Sequence, residues 1–215
     1  FFFFKQKTAY EIPPRDWSSD VCSSDLGAVV MTPAVSEMDR RHLALLRANV
    51  EAFMARVGSP HGNYVAGGGL LLDVAPQDHR GARPFFGANV KIETLDIDPT
   101  SGADHVADLC RCASQVGLNR FDFVVCTEVL EHTRHPFEAA DNILAMLRPG
   151  GIAFVTTPFN LRIHGPLPDC WRFTEHGLRE LFKAFEVLEL NALESEDRFL
   201  MPIQYTLVAR KPAVR

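Results

Sequence analysis

No apolar run in these 215 residues approaches the roughly 20 that a membrane-crossing helix requires, so a membrane partner is not expected. Positive charge is not in excess either. The 22 Lys and Arg stand against 27 Asp and Glu, a formal charge of −5, and that balance offers no electrostatic footprint for nucleic acid. Five cysteines without a CxxC pair give neither a disulfide framework nor a paired-thiol metal site, and they fit reduced thiols in a cytoplasm. Cys110-Arg-Cys112 comes nearest to a pair, and it reads as two ordinary thiols. The dinucleotide fingerprint GxGxxG is missing, as is a Tyr-xxx-Lys pair on matching elements, which disfavours nicotinamide chemistry. Gly67-Gly68-Gly69 is no substitute, because it precedes the strand Leu70–Val74 and a nucleotide loop must follow its strand. It reads as a flexible turn.

What the chain does contain is ordinary globular material, 47% hydrophobic, organised around one stretch. Phe123 to Cys126 is a continuous apolar, β-branched run that breaks into Thr127 and Glu128, as a buried parallel strand does where it leaves its sheet. Thr133 is the expected cap of a helix that Pro136 helps to start. Phe137, Ala140, Ile143, Leu144 and Leu147 recur at helical spacing before Pro149 and Gly150 stop it. A second apolar run, Ile152 to Val155, follows at once. Strand, crossover helix and strand make a right-handed βαβ unit, and chemistry is expected at the carboxyl ends of its strands.

Either side of this unit the pattern continues. Ser36-Glu-Met-Asp39 resembles a capping signal, followed by the stripe Leu43, Leu46, Val50, Phe53 and Val57 that Gly58 ends. Val90 to Asp96 reads as a second strand and His105-Val-Ala-Asp108-Leu109 as a short third. Thr174 caps a helix carrying Leu178, Leu181, Phe182 and Phe185. Two closing strands, Phe185 to Leu190 and Tyr205 to Ala209, have no helix between them and must be antiparallel.

In wording as well as pattern, Phe121-Asp-Phe-Val-Val-Cys-Thr-Glu-Val-Leu-Glu-His132 and Leu147-Arg-Pro-Gly-Gly151 resemble class I S-adenosylmethionine-dependent methyltransferases of the type 11/23 kind. The resemblance implies an α/β, Rossmann-like, doubly wound sheet of seven strands, mostly parallel with an antiparallel C-terminal hairpin. It implies S-adenosylmethionine as cofactor, with Asp73, Ala75 and Gln77 at the first motif. Glycines are usual at Ala75 and Gln77, and a long side chain at Gln77 crowds the point where a cofactor approaches the backbone. Asp96 lies 23 residues after Asp73, close to the spacing from a nucleotide loop to the acid that holds ribose hydroxyls, with Ile97 beside it. Asp98 is the runner-up, and either acid can instead cap the following turn. Asp108 and Leu109 match the position at which this family meets adenine, a carboxylate suiting an exocyclic amine. Thr127 and Glu128 complete the expected cofactor contacts.

The segment His164-Gly-Pro-Leu-Pro-Asp169-Cys-Trp171-Arg172-Phe-Thr174 resembles the HxxPxDYWRFT segment of bacterial methyltransferases acting on small molecules and glycans, with Cys170 where Tyr is usual. It implies substrate contacts from His164, Trp171 and Arg172. The opposing reading is a structural corner in which the aromatics pack and Arg172 pairs with a carboxylate. His132 and Asp169 are the candidate bases. Glu128-Val-Leu-Glu131-His132 further resembles the metal-binding pattern of small-RNA 2′-O-methyltransferases and ubiquinone-pathway O-methyltransferases. That implies a divalent ion, Mg, Mn or Zn, on Glu128, Glu131 and His132, with His164 or His135 completing the set. The same pattern occurs in relatives with no metal, where Glu128 faces the cofactor and His132 meets substrate or caps the helix.

Two function classes follow: methyl transfer to a small-molecule or glycan acceptor, or a non-catalytic binding or scaffolding module that keeps the sheet. Residues 1–26 resemble translated sequencing-adapter DNA rather than protein, so a single methyltransferase domain is expected over 27–215.

Overall fold

Seven strands form one sheet in the computed structural model, which describes residues 35–76, 81–195 and 198–213; Ser36–Arg215 is one compact unit. The expected tail at 1–26 lies outside the described residues. Strand order is β3-β2-β1-β4-β5-β7-β6, with β1 at Gly69–Val74, β2 at Val90–Asp96, β3 at His105–Val106, β4 at Phe121–Thr127, β5 at Leu147–Pro158, β6 at Glu186–Leu193 and β7 at Gln204–Arg210. The first five pair in parallel, while β7 runs antiparallel to both β5 and β6. This is the expected α/β sheet with its antiparallel hairpin.

The alternation of side chains on the central strands sorts the core into two layers. From β4, Phe123 and Val125 join Leu71, Ile152, Phe154 and Val208 on one face, packed under Phe53, Met54 and Val57 of helix α1 (Glu37–Val57). Val124 and Cys126 face the other way with Leu72, Val74, Ala153, Val155 and Leu207, beneath α2 (Ala113–Val116), α3 (Pro136–Met146) and α4 (Glu175–Leu181). Phe154 sits at the first face's centre, its ring centroid 5.8 to 6.2 Å from those of Tyr64, Phe86 and Phe123. Burying one such ring stabilises by about 1.5–3 kcal/mol.

Local signals set the helix starts. The Asp39 amide donates to Ser36 Oγ at 3.0 Å, and the Gly177 amide donates to Thr174 Oγ1 at 3.1 Å. Three expectations need correction. Thr133 does not cap α3: its hydroxyl donates to the Leu130 carbonyl, and His135 takes the cap position. Phe137 lies on the outer side of α3 at 56% exposure, and Met146 occupies the buried stripe instead. Leu147 starts β5 rather than ending the helix. Pairing then slips between Phe121↔Leu147 and Phe123↔Ile152, because Pro149 has no amide to donate and Gly150 turns with φ +80°. Gly69, which opens β1 at φ +145°, is closely packed, since a Cβ there would sit 2.5 Å from Asp122 Oδ2.

From the central β1 the chain winds outward through β2 to β3, then returns to lay β4 on the other side of β1. Strand order reverses there, and the crevice beyond the carboxyl ends of β1 and β4 is where such sheets bind ligands. Among the described residues no helix is long and apolar enough to cross a membrane.

Candidate functional site

Two adjoining cavities open at that crevice. One, of about 620 Å³, lies between the carboxyl ends of β1 and β4 and helix α1, with Asp73, Ala75, Gly81, Thr127, Glu128, Leu161 and His164 in its wall. The other, of about 830 Å³, spreads over the ends of β1, β2 and β3, and its wall includes Asp96, Ile97, Asp98, Asp108 and Leu109. Ala75, Pro76, Glu128, His132 and Pro166 belong to both. Of the nine residues expected at the cofactor, eight line these cavities; Gln77 lies outside the described residues.

The acids differ in how far the fold commits them. Asp73, 3% exposed at the end of β1, accepts the Ala82 amide at 2.6 Å, and its burial pushes its pKa up to about 6. Asp96 accepts the Asp98 amide with one oxygen only. Asp98 is spent on its own turn, accepting both the amide and the hydroxyl of Thr100, which leaves Asp96 the freer carboxylate for a diol. Asp108 accepts the Cys110 amide and pairs with Arg111 at 3.1 Å; burial works against its charge, but these bonds win and hold it below the usual carboxylate range.

Glu128 is held in left-handed backbone, φ +53°, by its amide donating to the Thr156 carbonyl. Such a conformation in a non-glycine residue is costly and is retained where surrounding structure over-determines it. Its Oε1 accepts from Thr156 Oγ1 and from Gln204 Nε2, each at 2.7 Å. Burial nonetheless raises its pKa to about 7, against those two donors and the charge of Arg172.

One turn further on, a 3-10 turn at Leu130–His132 buries Glu131 completely. Neither of its carboxylate oxygens has a hydrogen-bond partner among the described residues. Its pKa is pushed well above the usual carboxylate range by burial and by the neighbouring Glu128. Two imidazoles face it: His132 Nε2 at 3.8 Å and His164 Nε2 at 3.9 Å from Glu131 Oε1. Each ring is turned by its far nitrogen. His132 Nδ1 meets the Pro168 carbonyl at 3.1 Å, and a carbonyl only accepts, so Nδ1 carries the proton and Nε2 the lone pair. Burial and the nearby His164 and Arg172 hold this imidazole below its ordinary pKa, despite the Pro168 carbonyl. His164 Nδ1 lies 3.1 Å from Asp169 Oδ2 and 3.3 Å from the Arg162 carbonyl, which aims its Nε2 inward in the same way.

These three side chains present ligand atoms within 4.8 Å of one another. Glu128, expected in the ligand set, is not among them, being taken by Thr156 and Gln204, and His164 stands in its place. His135 is at the surface beside Glu138.

Asp169 does not stand free as a base. Burial pushes its pKa up, but the bidentate Arg172 pair, the His164 amide and the His164 ring outweigh that and bring it to about 2. An acid that weak in its conjugate base accepts protons poorly near neutrality. Arg172 also donates to the carbonyls of Leu161 and Arg162. Trp171 donates to the Thr133 carbonyl at 2.8 Å and stacks on Phe173. Neither side chain lies in the walls of the two cavities. Both brace the loop that delivers His164, as in the structural-corner reading.

Gly81 and Gln204 are marked by no motif in the sequence, while the stripe on the inner side of α1, expected to pack on the sheet, also reaches the first cavity. Gly81 has φ +49°, and a Cβ there would fall 2.1 Å from Asp73 Oδ2, so the glycine that lets the chain close over Asp73 comes later than the first motif predicts. Leu43 of α1, 38% exposed, faces the first cavity. An apolar helical stripe that runs past the sheet edge was the available signal.

A family model described as a methyltransferase domain matches residues 40–191. No curated protein matches the chain. Among solved structures, the Haloferax volcanii complex of the Trm112 methyltransferase activator with its methyltransferase partner aligns with TM-score 0.59 at 14% identity, over 83% of this chain and 94% of that one. A S-adenosylmethionine-dependent methyltransferase of Methanosarcina mazei gives 0.55 at 15%, over 71% and 96%. The Burkholderia thailandensis 1,6-didemethyltoxoflavin N1-methyltransferase, with 1,6-didemethyltoxoflavin and S-adenosylhomocysteine bound, gives 0.55 at 18%, over 81% and 90%. At such identities the likeness is one of fold.

Proposed function

The chain belongs to the methyltransferase domain family, and from that premise we propose that it transfers a methyl group from S-adenosylmethionine to a small-molecule or glycan-type acceptor. The observation that carries the reading is the row of carboxylates at successive strand ends, Asp73, Asp96 and Asp108, along two joined cavities at the switch between β1 and β4. Asp96 would accept from the ribose hydroxyls and Asp108 from the adenine amine, while Ile97 and Leu109 give the base apolar surface. Asp73, Ala75, Thr127 and Glu128 would meet the amino-acid end, with Glu128 opposite its cation. The Burkholderia neighbour, with S-adenosylhomocysteine and a small acceptor both bound, supports the same pairing of ligands.

Bound S-adenosylmethionine supplies a methyl group on a good leaving group. The chain's own residues then contribute chiefly positioning, for which effective molarity is the measure. Leu161, His164 and the inner side of α1 would hold the acceptor in the first cavity. His132, neutral with its Nε2 lone pair inward, takes a proton when the acceptor still carries one. Calorimetric titration with S-adenosylhomocysteine tests the reading: one site per chain is expected, and an absence of binding would overturn it.

A second reading is favoured by Glu131. A buried carboxylate without partners, faced by two imidazole lone pairs whose rings are oriented from behind, fits a divalent cation. Glu131, His132 and His164 would hold it, and its chemistry would be to polarise an acceptor oxygen.

A further inference from the structure

Gln204 opens β7 opposite Pro158 of β5 and Leu193 of β6, and its side chain is fully buried. A buried primary amide is costly unless both of its ends are bonded, and an apolar residue of that size would fill the space more cheaply. Both ends are bonded here, to different elements. Nε2 donates to Glu128 Oε1 at 2.7 Å, and Oε1 accepts from Asn49 Nδ2, also at 2.7 Å.

The two partners belong to two elements that both line the first cavity. Glu128 stands at the end of β4, where both cavities meet. Asn49 is on α1, the helix whose Leu43, Leu46, Arg47 and Val50 close the same cavity from outside. Thr156 and Gln204 both end on Oε1 of Glu128 and so fix the direction in which the carboxylate points. The amide cannot turn over without setting donor against donor at Asn49 and acceptor against acceptor at Glu128. The orientation of Glu128 and the seating of α1 are thereby joined through one side chain.

We propose that Gln204 is a positioning residue that aims the Glu128 carboxylate at the cationic amino-acid end of the bound cofactor and, through Asn49, couples that binding to the seating of α1 over the cavity. The proposal rests on the reading of Glu128 as a cofactor-facing carboxylate. A side chain that merely fills space would act on all parts of the ligand alike. One that aims Glu128 acts only on the part bearing the ammonium group.

Two ligands separate these cases: S-adenosylhomocysteine, which carries the ammonium, and 5′-methylthioadenosine, which keeps the nucleoside and lacks it. Gln204→Met should weaken S-adenosylhomocysteine about tenfold, as expected for loss of one charge-assisted hydrogen bond, and leave 5′-methylthioadenosine within about twofold. In the unaltered protein S-adenosylhomocysteine should slow amide hydrogen exchange along α1. Asn49→Ala, a change to a strong helix former on a partly exposed surface, should abolish that slowing while preserving binding, and it carries the test alone if Gln204→Met does not fold. Equal weakening of both ligands by Gln204→Met, no weakening of either, or undiminished slowing along α1 in Asn49→Ala would overturn the proposal. Failure of the unaltered protein to bind S-adenosylhomocysteine would instead overturn the proposed function, and the coupling with it.

Discussion

Replacing Asp73 by Asn should make the protein more stable and a poorer binder of its cofactor. Asp73 is 3% exposed, and burial raises its pKa from 3.8 to about 6. The folded state therefore keeps a proton that the unfolded chain has lost, and stability falls as pH rises between those two values. At about 1.4 kcal/mol per pKa unit, the penalty is near 1 kcal/mol at pH 4.5 and reaches about 3 kcal/mol above pH 7. Asn carries no charge to desolvate, and its carbonyl can still accept the Ala82 amide. For a domain of this size one kcal/mol moves the melting temperature by about 2–4 °C. Asp73→Asn should thus melt roughly 6–12 °C higher at pH 7.5 and only about 2–4 °C higher at pH 4.5. Thermal unfolding of the two proteins across that range, followed by circular dichroism, is the assay. Parallel melting curves at every pH, or a variant less stable at pH 7.5, would refute the reasoning that Asp73 is buried at a cost. Loss of S-adenosylhomocysteine affinity in the same variant would show why the charge is kept.

Asp96→Ala should lower S-adenosylhomocysteine affinity by a few kcal/mol while leaving the melting temperature nearly unchanged, since its one bond is to an exposed turn; unaltered affinity in calorimetry would move the ribose elsewhere. If Glu131, His132 and His164 hold a divalent ion, Mg or Mn at a hundredfold excess over its dissociation constant should stabilise by about 2.7 kcal/mol. Glu131→Gln should abolish that shift, and a melting temperature indifferent to both ions would remove the metal from the site. Deleting residues 1–26 should leave thermal stability as it was, and a fall of several degrees would show that they belong to the folded protein.

Much of the site could be seen in the chain itself because its residues sit where apolar runs end. Asp73 and Thr127-Glu128 each follow a continuous apolar run, and Asp96 closes the mixed strand Val90–Asp96, so the pattern that builds the sheet also places them at its carboxyl edge. Ser36 and Thr174 announced their helices for the same local reason: a side-chain oxygen can satisfy an orphan amide three residues ahead. Thr133 broke that rule because its hydroxyl found the Leu130 carbonyl first. What no local pattern could decide was convergence. His164 reaches Glu131 only because the loop after β5 folds back so that the Glu131 carbonyl accepts the Cys170 amide, while the Arg172 pair fixes Asp169 behind the imidazole. Asp169 and Arg172 are three residues apart, and the chain alone offers one as a base and the other as a substrate contact until that pairing is seen. Gln204 is one polar residue before a strand, unremarkable until β7 inserts beside β5 and sets it between Glu128 and Asn49. Strand ends are written in hydrophobic periodicity, a property of neighbouring residues; the partners of buried polar groups come from segments far apart in the chain, and only their packing brings them together.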